Sequence, residues 1–218
     1  MAALVLLGTA LGACDATDAV TVGTTTVVTW PGASGTTRGQ VIVSVTNDGD
    51  GPIDPDVLGR GQQTLAHLVD PDGADLPGGD ARVALHAVPA VLGPGEAGYL
   101  IGDFEVGEAA ERVSGARVEV NAASREKGTP VSVEAFELVE GSDGVGASGR
   151  LEWDGEGTAV ARAIALGPDG VPLGYLATSE VRYAPGEFEM CCLPPTVDAD
   201  AIDDVAVYGI QARDREGE

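Results

Sequence analysis

Apolar positions in this chain recur at every second residue far more often than at every third or fourth. Val20 and Val22, and then Val41, Val43 and Val45, stand two apart, the period that puts side chains on one face of a pleated strand. Residues 19–30 and 40–46 are therefore predicted strands, and Asn47-Asp48-Gly49-Asp50-Gly51-Pro52 closes the second with turn-forming residues. Further strands are predicted at 64–69, 81–88, 98–104 and 116–121, and again at 131–139, 148–153, 159–166, 173–183, 187–192 and 205–210. A phase change at Ala135 and Phe136 predicts a bulge in the first strand of that second series. The single helical candidate, 105–114, is short, acidic and interrupted by glycine.

Composition reinforces the pattern. Hydrophobic residues make up 44% of the chain but aromatics only 4%, so the core must come mainly from Val, Leu, Ile and Ala, which favours strands. The 32 glycines and 13 prolines punctuate the chain too often for long helices.

The two series of strands use one pattern twice. In the first, a glycine-led strand (GQVIVSVTN from Gly39) is followed by HLVDPDG, VLGPGE and ARVEVNA; in the second, GRLEWDG from Gly149 is followed by IALGPDG, RYAPGE and DVAVYGI. The shared order of Pro-Asp-Gly and Pro-Gly-Glu turns predicts an internal duplication. This order resembles the FxLYD-like immunoglobulin-type domains of prokaryotic envelope proteins. The matching positions are Asn47, Asp70 to Gly73 and Pro94 to Glu96 in the first copy, and Pro168 to Gly170 and Pro185 to Glu187 in the second. Asp154 stands where that pattern has Asn. The resemblance implies an all-β protein of two tandem immunoglobulin-like β-sandwiches, used for spacing and contact without enzymatic activity. The expected domains are 19–124 and 131–213, with a linker at 125–130 and a tail at 214–218.

Ahead of the strands, residues 2–13 are apolar or small except for Thr9. A dozen such residues match a signal-peptide core and fall short of the roughly 20 that cross a bilayer. The run ends Leu11-Gly12-Ala13-Cys14, which resembles the lipobox of prokaryotic lipoproteins. The resemblance implies cleavage before Cys14, with residues 1–13 as signal peptide, and a diacylglycerol on the Cys14 thiol. The small side chains of Gly12 and Ala13 suit the peptidase, and residues 14–18 form a polar tether. Two acyl chains hold a protein stably on a membrane where one does not. Nothing basic precedes the apolar run, which fits either a start upstream of Met1 or a weak signal. The competing reading is a free cysteine buried in a first helix or strand.

Charge narrows the partners. Twelve basic residues against 35 acidic ones leave a net charge of −23, and Lys127 is the only lysine. Nucleic acid is excluded as an expected partner, because phosphate contacts need clustered Lys and Arg. No polybasic patch is present to hold an anionic leaflet, so membrane attachment falls to Cys14.

Catalytic motifs are scarce. His67 and His86 have no metal-ligand or triad spacing and are expected to pack or face solvent. Ser124-Arg125-Glu126-Lys127 matches Ser-x-x-Lys but lacks the companion motifs of penicillin-binding enzymes. The acidic clusters at 47–56, 70–75 and 198–204 offer oxygen ligands of the kind calcium takes, with turn chemistry as the plainer role. Cys191 and Cys192, next to Met190, fit a vicinal disulfide, separate thiols or a soft-metal contact. No cofactor is implied. The expected function is a lipid-anchored cell-envelope protein acting as a non-catalytic structural, adhesion or assembly module, with an unidentified envelope protein or ligand as partner. The alternative is an extracytoplasmic binding lipoprotein for a cation or small ligand, accessory to a transporter.

Overall fold

A computed structural model describes residues 6–7, 19–55, 63–78, 81–107, 112–141, 144–154, 157–178 and 182–212. Every element among them is a strand or a single 3-10 turn, so the protein is all-β. The chain divides into two units, 1–127 and 128–218, and the division falls inside the segment expected to be a linker.

The first unit runs β1 (Leu6–Leu7), β2 (Val20–Pro31), β3 (Thr37–Asn47), β4 (Ile53–Asp54), β5 (Leu65–Val69), β6 (Arg82–Ala84), β7 (His86–Val88), β8 (Ala97–Val106), β9 (Gly115–Glu119) and β10 (Ala123–Ser124). One sheet has the order β1-β2-β3-β8-β7, a second has β6-β5-β9, and β10 and β4 form a short ribbon. Val41, Val43, Val45, Leu100 and Phe104 from the first sheet share one core with Ala66, Leu68, Val83 and Ala116 from the second, which makes this unit a sandwich. The predicted strand at 81–88 breaks at the fully buried Leu85. Its first part pairs with β5 and its second with β8, so one extended run changes sheets. At the start of the helical candidate Glu105 and Val106 finish β8 instead, because their alternation continues that strand, while Arg112 near its end has 3-10 geometry.

The second unit runs β11 (Val131–Gly141), β12 (Gly144–Trp153), β13 (Thr158–Leu166), β14 (Pro172–Thr178), β15 (Gly186–Cys191) and β16 (Asp204–Ala212). Where a second immunoglobulin-like sandwich was expected, the strands of this unit form a closed barrel of order β11-β12-β15-β14-β13-β16. Two features close it. β14 stays unbroken and pairs with both β13 and β15, while Val131 of β11 pairs with Gly209 of β16. A Cβ on Gly209 would lie 2.6 Å from Val131 Cγ1, so the closure needs glycine there. Ala159, Ala161, Ala163 and Ala165 face inward from β13, leaving room for Trp153, Phe188 and Met190 in the same core. The bulge predicted at Ala135 and Phe136 is present: the β11–β12 register shifts between Glu134 and Glu137, and Ala135 has φ +48°.

The two units are wired alike. β3 lies between β2 and β8 as β12 lies between β11 and β15, and β5 lies between β6 and β9 as β13 lies between β14 and β16. A side-chain pair marks the equivalence. Gly39 of β3 is opposite Phe104 of β8, and Gly149 of β12 is opposite Phe188 of β15. In each pair the ring lies over its glycine, so closely that a Cβ on either residue would collide with ring carbons. An aromatic ring over a strand glycine covers backbone that the missing side chain leaves bare.

Candidate functional site

The acidic stretch that begins at Asn47 works as a brace. Asn47 is fully buried; its Nδ2 donates to the Gly51 and Leu92 carbonyls at 2.8 and 3.0 Å, and its Oδ1 accepts from the Gly49 N–H at 2.9 Å. Its backbone N–H donates to the Glu96 carbonyl and its carbonyl accepts from the Gly95 N–H, so the strand-ending Asn is locked to the Pro-Gly-Glu turn. Asp54 is buried and accepts from Arg125 Nη1 at 3.0 Å. Glu96 accepts from Lys127 and, at 2.7 Å, from the Gly93 N–H. Burial pushes the Glu96 carboxyl up, but Lys127 and the Gly93 N–H outweigh it and hold the group below the ordinary carboxylate range. Two members of the Ser-x-x-Lys tetrad thus pin the end of the first unit, and Ser124 sits in the β10–β4 ribbon.

The other acidic clusters are similar. Asp70 Oδ1 accepts from the Asp72 and Ala74 N–H groups, each at 2.9 Å, the local bonding that makes aspartate a turn residue. Asp198 accepts from the Asp200 N–H at 3.1 Å and Asp204 from the Val205 N–H at 2.8 Å. Among the described residues no three His, Cys, Asp or Glu converge as a metal-binding group; Asp56 lies outside them.

His67 stands on β5 between Arg117 of β9 and Arg82 of β6. Its Nδ1 is 4.0 Å from Asp75 and its Nε2 3.5 Å from Glu119. Arg117 braces both carboxylates, at 2.8 and 3.0 Å, and its hydrogen bond is the main reason the Glu119 carboxyl is held low. His86 lies exposed on β7.

The second unit carries a polar cleft of about 860 Å³, lined among others by Ser148, Arg150, Thr178, Arg182, Glu187 and Glu189. Among the described residues β14 reaches Thr178, opposite Met190, and on the cleft's other side β15 pairs with β12, Gly186 with Leu151, Glu187 with Arg150, Phe188 with Gly149 and Glu189 with Ser148. Arg182 is held by mutual backbone bonds with Ala159, each 2.8 Å, and Thr178 Oγ1 accepts from the Ala161 N–H at 3.2 Å. The lining can ion-pair with groups of either sign. Just past the cleft, the sulfurs of Cys191 and Cys192 are joined as a vicinal disulfide, with Cys191 exposed at the end of β15 opposite Ala177. Cys14, its tether and the tail lie outside the described residues, and among those described no helix is long and apolar enough to cross a membrane.

Sequence reasoning missed the roles of the basic side chains. Arg38, Arg117, Arg125, Lys127 and Arg150 each meet a carboxylate. The available signal was their rarity: 12 cations among 35 acids are seldom far from a partner. It missed as well the Phe of each Gly–Phe pair, although Asp-Phe-Glu-Val at 103–106 and Glu-Phe-Glu-Met at 187–190 stand at equivalent places in the two copies.

Fold and sites together define an all-β protein of two like-wired units, one a sandwich and one a barrel. No protein-family model, curated protein or solved structure matches the chain.

Proposed function

We propose that this protein is a lipid-anchored cell-envelope protein whose two β-units form a non-catalytic contact module, structural, adhesive or assembling in role. The observation that carries the contact part is the reuse of one strand order with turn-end polar groups such as Asn47, Asp70 and Asp54 directed to holding loops in place. Such braces keep exposed surfaces in fixed shape, which recognition by contact needs. The anchor rests on Leu11-Gly12-Ala13-Cys14. From Cys14 to the start of β2 at Val20, a fully extended tether reaches about 20 Å, so the anchored first unit stays close to the bilayer surface.

Metabolic labelling of the full chain with a clickable fatty acid tests the anchor. Label is expected on the protein and is expected to vanish in Cys14→Ala. An unlabelled protein, or label that persists in that variant, overturns it.

A further inference from the structure

Strand β11 is held along one edge only. Val131 pairs with Gly209 of β16, but from Ser132 to Gly141 the strand's only partner among the described residues is β12. Beyond the bulge at Ala135 and Phe136, pairing with β12 resumes and runs from Glu137 to Gly141. All five of those residues are exposed, including Leu138 at 38% and Val139 at 48%. Leu138 is opposite Ala147 and Glu140 opposite Val145, and both of those partners are buried in the core. Leu138 therefore stands on the core side of the wall, where no next strand lies among the described residues. An edge of this kind presents backbone N–H and C=O groups at every second residue, ready to pair with another extended chain.

Charge selects the occupant. Glu134 is opposite Arg150, but Glu137 and Glu140 are opposite Ser148 and Val145, and among the described residues they have no ion-pair partner. A second copy of the chain would bring the same carboxylates and a further net charge of −23, which opposes edge-to-edge self-pairing. A basic strand answers both features.

We propose that the free edge of β11 between Phe136 and Gly141 binds an extended basic segment of a partner protein as an added strand. Lysine or arginine would lie opposite Glu137 and Glu140, and apolar side chains opposite Leu138 and Val139, with backbone hydrogen bonds supplying affinity. The proposal rests on the contact-module reading, and it does not depend on the lipid.

The probe is a blocked peptide, Thr-Lys-Val-Val-Lys-Thr, whose Lys-Val-Val-Lys core reads the same in either strand direction, titrated into the purified full chain. Fluorescence anisotropy of a labelled peptide is expected to show saturable binding that weakens with salt. Amide exchange is expected to slow at alternate residues from 136 to 141. The isosteric double variant Glu137→Gln, Glu140→Gln is expected to bind roughly three- to tenfold more weakly, with exchange elsewhere in the chain unchanged as the check on folding. Absent binding, equal binding by a peptide with Gln in place of Lys, or protection away from β11 overturns the proposal. A concentration-dependent dimer dissolved by Leu138→Lys overturns it too, because it gives the edge to a second copy. Fatty-acid labelling reads none of these outcomes, so the failure of the added strand and the failure of the anchored module are told apart.

Discussion

Asn47 ties together three stretches of chain with one amide. Its two N–H hydrogens go to carbonyls at Gly51 and Leu92, and its oxygen takes the Gly49 N–H. Truncation in Asn47→Ala leaves these groups without partners in a fully buried place, and buried polar groups left unmade cost about 1–3 kcal/mol apiece. Partial rehydration of the loop offsets some of that, so Asn47→Ala is expected to lower the stability of the first unit by about 2–4 kcal/mol, read by urea unfolding through Trp30. Asn47→Asp keeps the shape but turns the donating edge into an acceptor facing two carbonyls. It is expected to be at least as damaging at neutral pH and to recover partly in acid, where protonation returns one donor. A variant within a few tenths of a kcal/mol of the parent would show that the loop does not depend on this side chain.

The Gly–Phe pairs join strands that are otherwise built from β-branched and small residues. A Cβ on Gly149 would come 2.8 Å from Phe188 Cζ and 3.3 Å from the Glu134 carbonyl, whereas one on Gly39 meets the Phe104 ring and also lies 2.7 Å from the Val28 carbonyl. A ring can tilt, but backbone in the middle of a ladder cannot. Gly39→Ala is therefore expected to cost about 1–3 kcal/mol, the range for overpacking, and Gly149→Ala distinctly less; thermal unfolding of the two variants checks the order, and equal losses would count against it. At this scale most of the strands were legible, because alternation at Val20 and Val22, at Val41, Val43 and Val45, or at Ala159, Ala161 and Ala163 puts one set of apolar residues on one face, although Ile42 and Ile164 are buried on the other. The bulge at Ala135 was legible for the same reason, since a slipped phase needs an extra residue. Closure of the second unit was not. It depends on Gly209 lying against Val131 and on β14 running through where its counterpart breaks at Leu85, and these are meetings of distant segments that local pattern does not encode. The candidate sites were legible as turn chemistry at Asp70 and Asp198, while Leu92, Arg125 and Lys127, which bond Asn47, Asp54 and Glu96, lie 31 to 71 residues from them and are set by the fold. The cleft was missed for the same reason, since Ser148, Thr178, Arg182 and Glu187 come to it from separate stretches of chain.

Across the whole molecule the net charge of −23 makes the few ion pairs unequal in consequence. Among the described residues three carboxyls are held below their ordinary values, and all belong to the first unit: Glu96, where Lys127 and the Gly93 N–H outweigh burial; Glu105, bonded to the Thr36 hydroxyl and Arg38; and Glu119, bonded to Arg117. A carboxyl whose value is depressed by folding adds stability that is complete above its unfolded value, about 4.3 for glutamate, and that disappears as pH falls through the lower folded value. The first unit should therefore weaken in acid through these groups, and removing their partners should matter less as the pH drops. Each unit carries one of the two tryptophans, Trp30 in β2 and Trp153 in β12, so Trp153→Phe reports the first unit and Trp30→Phe the second. In the Trp153→Phe background, Lys127→Gln and Arg117→Gln are expected to lower the melting temperature near neutral pH, by an amount that shrinks between about pH 4.5 and pH 3. These pairs are exposed enough for salt to screen them, so about 1 M NaCl at neutral pH should narrow the same gap. In the Trp30→Phe background neither substitution should move the Trp153 transition. A gap independent of pH, or one that appears equally in the Trp153 signal, would mean that these ion pairs do not set the acid sensitivity of the first unit.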